Sequence, residues 1–180
     1  DVNAPLARKM DDEYRKIGAE FETSVLPLIR ANFGDPLAAD AQLGLGGRVV
    51  LLFTPTVNAM GNVRGYVSGC DFYPRTVAPS SNQAEVFYAE VPTSGQSGFT
   101  SGGFTKDLWR HVIRATVVHE TKHLASLSER LARGASVYEE SWLEEASAMA
   151  AMELWGRTFT GTTWRARSTY QADLYCEVRP

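Results

Sequence analysis

From Asp11 to about Asn32 the apolar residues Tyr14, Ile17, Phe21, Val25, Leu28 and Ile29 recur at steps of three and four. That spacing gathers them on one face of a helix. Pro27 falls inside the run and predicts a bend. Gly34-Asp35-Pro36 ends the helix, and Leu43-Gly-Leu-Gly-Gly47 turns the chain into Arg48–Thr54, whose Val and Leu content reads as a buried strand. Arg64–Ser68 and Glu85–Glu90 are two further strand candidates; in the second, Val86 and Tyr88 alternate with Glu85 and Phe87. Residues 92–105, rich in Pro, Ser, Thr and Gly, read as a surface loop, either a linker or a flap beside a cleft. A long helix is predicted from Thr105, as N-cap, to about Ala132, with Gly134 as its stop, and another from about Ser136 to Leu154, ending at Gly156. The order helix, strands, helix, helix, without an internal repeat, predicts a single α+β domain over residues 1–180, its small sheet packed against the last two helices.

Composition narrows the partners. With 44% hydrophobic and 22% charged residues, the 180-residue chain is ordinary for a globular protein that buries one core. A formal net charge of −3 offers no basic field for phosphate backbones, so nucleic acid is not an expected partner. The longest compact apolar run, Val49–Phe53, is strand length, far short of the roughly 18 residues of a membrane span. Asp1-Val-Asn-Ala-Pro5 lacks the basic head and apolar core of a signal peptide; a start without Met is what processing of a secreted precursor, or trimming, leaves. Cys70 and Cys176 can pair in an oxidising compartment or stand as two thiols.

His119-Glu-Thr-Lys-His123 matches His-Glu-x-x-His within the long predicted helix. Residues four apart on a helix lie about 6 Å from each other on one face, close enough for two imidazoles to converge on one zinc ion. Val112, Ile113, Ala115, Thr116, Val117 and Val118 before the motif, with Leu124 and Leu127 after it, supply an apolar surround. Glu120 projects off the His–His edge. It is suited to take a proton from water acidified by the metal and to pass it to a leaving amine. His111, eight residues before His119, reads as a structural or surface histidine.

The motif resembles that of the zincins, and the resemblance implies a third ligand downstream. Trp142-Leu-Glu-Glu-Ala-Ser-Ala148 on the next predicted helix is similar to the segment that carries it in zincins with a glutamate ligand, with 21 residues between His123 and Glu145. Two carboxylates compete. Glu145 shares a helical face with Trp142 and Met149, the more apolar side, and aligns with the ligand of the resembling motif; Glu144 shares its face with Glu140, Ser147 and Ala151 and reads as a solvated charge. In several relatives an acidic residue four positions after the ligand glutamate braces a metal histidine. Here that position is Met149, which leaves the brace unassigned.

A wider likeness involves Arg48–Asn58, Gly65-Tyr66, Asp71-Phe-Tyr-Pro74, Ser81-Asn82 and Glu85–Tyr88. With His119–His123 and Trp142–Ala148 these resemble the hyicolysin-type bacterial metallopeptidases over about residues 45 to 150. The resemblance implies a zincin-like domain, a secreted or cell-envelope location, Zn2+ held by His119, His123 and Glu145, and peptide or protein substrates. It also implies a further helical part beyond Arg179-Pro180, so that the chain is expected to be C-terminally truncated. A monomer is expected. An oxyanion donor is needed for peptide hydrolysis; Tyr170 is the first candidate, then Tyr175 and Tyr138. Two other functions compete with an endopeptidase: a zinc amidohydrolase of the deformylase kind with Cys70 as third ligand, and a catalytically silent zinc-binding adhesion module. The carboxylate of Glu120 argues against the silent module, because a structural site closes its fourth position and has no use for a base.

Overall fold

The computed structural model describes residues 7–43, 46–61, 63–92, 106–135 and 137–160. Its element order is α1 (Ala7–Glu20), a wide helical turn Phe21–Val25, α2 (Leu26–Asn32), α3 (Asp40–Leu43), β1 (Val50–Phe53), α4 (Pro55–Met60), β2 (Gly65–Val67), a 3-10 turn Gly69–Phe72, β3 (Val86–Ala89), α5 (Lys106–Ala132) and α6 (Ser141–Thr160). The architecture is α+β, a three-stranded sheet in the order β1-β3-β2; of the two helices expected against it, α5 packs on β2 and β3, while α6 packs chiefly on α5.

The expected N-terminal helix forms, but its bend is a π turn. The Leu26 amide bonds to the Phe21 carbonyl five residues back, immediately before Pro27 enters the first turn of α2. A widened turn accommodates a ring that lacks an amide hydrogen and crowds the preceding turn. Phe21, Val25 and Ile29 are buried on its inner side.

The central strand β3 runs parallel to β1 and antiparallel to β2. Burial at β1 departs from the expectation. Val50 and Leu52 are 39% and 44% exposed, while Phe53 stacks on Tyr14 at 4.8 Å and meets the edge of Trp109. Among the described residues β1 pairs with β3 alone, so its outer face lacks the cover that an interior strand receives. The buried strand is β3 instead. Helix α4, absent from the periodicity reading, is capped by Thr54, whose hydroxyl accepts the Thr56 amide, opens on Pro55, and ends at Gly61 with φ 78°.

Helix α5 is the spine of the molecule. Trp109, Ile113, Val117, Val118 and Leu124 are buried in the core with Met10, Ile29, Phe87 and Trp155. Arg110 and Arg114 form paired hydrogen bonds with Glu13 and Glu20 of α1, and the Trp109 indole donates to the Glu90 carbonyl beyond β3. Gly65 lets β2 approach this helix closely: a Cβ there would stand 2.9 Å from Thr116 and 2.5 Å from Phe87. The expected stop at Gly134 holds, with φ 67°.

Helix α6 begins five residues later than the pattern predicts and runs past Gly156. Residues 137–139 are held out of the helix by tertiary bonds: Arg130 donates to the Val137 carbonyl, Tyr138 shares a hydroxyl hydrogen bond with Tyr73, and Glu139 pairs with Arg130. Gly156 costs the helix interior only about 1 kcal/mol relative to alanine, too little to end a helix whose Ala151 and Trp155 are buried. The expected 92–105 loop, save Pro92, and the cap at Thr105 lie outside the described residues, as do Tyr170, Tyr175 and Cys176.

Glu85, just before β3, is fully buried and neither carboxylate oxygen has a hydrogen-bond partner among the described residues. Burial, reinforced by Asp40 and Asp35, raises its carboxyl from 4.5 to about 7. Well below pH 4.5 the group is neutral folded and unfolded and adds no pH-dependent cost. Between about pH 4.5 and 7 the unfolded chain releases its proton first, so stability falls as pH rises, by on the order of 2–3 kcal/mol once pH exceeds 7. Glu85→Met is therefore expected to raise the melting temperature clearly at pH 8 and much less at pH 5. Equal gains at both pH values in thermal unfolding would contradict this account.

Candidate metal centre

The motif residues lie in the second half of α5, where the helix passes between β2 and α6. Of the expected apolar surround, Val112, Ile113, Ala115, Thr116, Val117, Val118 and Leu124 are buried, while Leu127 is half-buried on the cleft wall. His119, Glu120 and His123 open instead into a cleft of ≈ 970 Å³, walled by β2 on one side and by residues 138–152 on the other.

Two histidines and one glutamate converge there. His119 Nε2 and His123 Nε2 stand 3.0 Å apart, and Glu145 of α6 places Oε2 3.2 Å from the first and Oε1 3.5 Å from the second. Their ligand atoms all lie within 4.8 Å of one another. The donor set fits zinc. Two imidazoles and a carboxylate are ligand types that zinc takes, although the two short contacts of Glu145 are made by different oxygens, so one oxygen would have to draw in towards both histidines around an ion. Burial, and then the neighbouring His123, lower His119 to about 4, which keeps its imidazole neutral as a ligand requires. Glu145 is 63% exposed, so the point of convergence faces the open cleft.

Glu120 lines the same cleft and is itself buried. Its carboxyl is pushed up to about 7, by burial first, against the pull of His123 and with a further push from Glu145. A carboxyl poised there can both accept and return a proton at neutral pH.

The two competing carboxylates differ in a way that helical phase does not reveal. The side carrying Trp142 is the exposed one, with that indole 70% exposed. Glu144 is not a solvated charge: its side chain is 20% exposed, Oε1 lies 2.8 Å from His123 Nδ1 and Oε2 accepts from Lys122 Nζ at 2.9 Å. Burial alone would raise its carboxyl, but hydrogen bonds from His123 and Lys122 hold it down at about 2. The same bond to Glu144 raises His123, against the effect of burial. Met149 lines the cleft, and the sulfur of Met152 lies 3.3 Å from His119 Nδ1.

Of the other candidates, Cys70 is exposed in the 3-10 turn and falls outside the convergent His–His–Glu group. Tyr138 lines the cleft, its hydroxyl 2.8 Å from that of Tyr73, and is pushed up to about 12 by that bond and by burial. The side chain of His111 lies outside the described residues. No described helix is long and apolar enough to cross a membrane.

No family profile matches the chain. It is 29% identical over 152 residues to the neutral metalloprotease ShpI of Staphylococcus hyicus, an alignment covering 81% of this chain and 31% of that protein. The chain thus spans about a third of the length of the curated relative it matches.

Proposed function

We propose that this chain carries the catalytic centre of a zincin-like zinc endopeptidase of the hyicolysin type, with Zn2+ held by His119, His123 and Glu145. The observation that carries this reading is the convergence of those three side chains, their ligand atoms within 4.8 Å of one another, on the wall of a cleft that also holds Glu120. The distant likeness to a neutral metalloprotease supports it and suggests peptide or protein substrates.

When bound, zinc supplies a positive charge that acidifies water and polarises a substrate carbonyl. The chain's own residues do the rest. Glu120 takes a proton from the attacking water at its carboxylate and delivers it to the nitrogen of the leaving amine, so that the peptide C–N bond breaks without expelling an amide anion. Strand β2 pairs, among the described residues, with β3 alone, and it borders the cleft. Its outer edge is placed to align an extended peptide across the centre. The apolar lining from Val112, Ala115, Met149 and Met152 excludes water around the reacting groups.

Treatment with 1,10-phenanthroline is expected to abolish casein hydrolysis, and one equivalent of Zn2+ added after removal of the chelator to restore it. Hydrolysis that persists in protein shown by elemental analysis to be metal-free would overturn the reading.

A further inference from the structure

We propose that Glu144 is the positioning residue of the centre: it fixes the tautomer and direction of His123, and Lys122 from within the His-Glu-x-x-His motif fixes Glu144 in turn. This rests on the zinc reading of His119, His123 and Glu145.

An ionised carboxylate can only accept hydrogen bonds. Its 2.8 Å contact with His123 Nδ1 therefore requires the ring proton to sit on Nδ1. In the neutral ring that a metal ligand requires, the lone pair is then left on Nε2, the atom that faces His119 Nε2 and Glu145 Oε1. The second oxygen of Glu144 is occupied as well, by the ammonium of Lys122, whose side chain is only 3% exposed. Lys122 also lies 3.9 Å from Glu139, and Glu139 pairs with Arg130 at 3.3 Å. With both oxygens engaged the carboxylate has one orientation, and so has the imidazole it holds. Adjacent residues on α6 thus reach opposite nitrogens of one ring, Glu144 on Nδ1 and Glu145 on Nε2. His119 is held differently, its Nδ1 facing the sulfur of Met152, a weak acceptor. The carboxylate brace acts on one histidine of the pair, and it comes from the residue before the ligand rather than from the position of Met149.

The test compares wild type, Glu144→Ala, Glu144→Gln and Glu145→Ala by zinc competition against a fluorescent chelator, with nitrogen-15 NMR of the imidazoles in the zinc-free protein. Glu144→Ala is expected to weaken zinc binding about 10–100-fold and to convert His123 from the Nδ1–H form to a mixture of tautomers. A residue serving only as a partner for Lys122 would change neither. Glu144→Gln keeps the shape and an acceptor oxygen, and it decides the matter if the alanine variant fails to fold. It is expected to retain the tautomer and lose a smaller factor in affinity. Zinc binding within twofold of wild type in both Glu144 variants, with the tautomer unchanged, would overturn the proposal while leaving the metal site standing. Undiminished zinc binding by Glu145→Ala would instead overturn the reading of the metal site.

Discussion

Glu120→Gln is expected to lose peptide hydrolysis by about 10²–10⁴-fold or more, the range that a positioned general acid–base contributes, while binding zinc as tightly as the wild type. The amide has the same shape, and Glu120 lies off the convergence of His119, His123 and Glu145, so nothing that holds the ion is removed. What is lost is the carboxylate, the only group of that side chain able to take and return a proton. The substitution is also not expected to destabilise the fold, since burial already disfavours the charged carboxylate of Glu120. Steady-state hydrolysis of a quenched fluorescent peptide, with zinc measured on the same samples, checks both halves. A variant that keeps its zinc and cleaves within tenfold of the wild-type rate would remove Glu120 from the chemistry.

The second large effect is expected at Glu145. Its replacement by Ala removes one of three protein ligands and is expected to weaken zinc binding beyond the roughly 10–100-fold typical of a lost outer partner, with peptide hydrolysis falling in parallel. Because its side chain is 63% exposed and its contacts are with the two histidines, the melting temperature of the zinc-free protein should scarcely change. Equilibrium dialysis against zinc and thermal unfolding of the zinc-free variant separate loss of metal from loss of fold. Full zinc occupancy in Glu145→Ala at micromolar metal would show that another group serves as the third ligand.

How much of this is legible in the sequence depends on the range of the forces involved. The course of α5 follows from its own residues: a buried apolar stripe from Trp109 to Leu124 and a glycine stop at Gly134 are local signals, and a helix of 27 residues is long enough to display them. Strands β2 and β3 fall inside the segments that pattern suggests. The exposure of β1 was not legible, because an edge strand and a central strand can share the same Val and Leu content; strand order decides, and strand order is not local. The late start of α6 was hidden for a related reason. Residues 137–139 are drawn from the helix by Arg130 and Tyr73, partners distant from them in sequence or on another element.

The centre divides in the same way. His119, Glu120 and His123 were visible as a spacing on one helix. The pairing of Glu144 with His123 and Lys122 was not, because it depends on the register of α6 against α5, which helical phase within α6 cannot supply. Phase even misplaces the burial: the side of α6 that carries Trp142 reads as apolar yet lies exposed, and Glu144, which reads as a solvated charge, is the better buried of the two carboxylates.

The most direct test of the central claim is a crystal structure of the zinc-loaded protein with anomalous data collected on both sides of the zinc edge. A single zinc peak is expected about 2.0–2.2 Å from His119 Nε2, His123 Nε2 and a carboxylate oxygen of Glu145, with a fourth position open to the cleft. A fully occupied zinc bound elsewhere, or at His119 and His123 with Cys70 or Glu144 in place of Glu145, would contradict it.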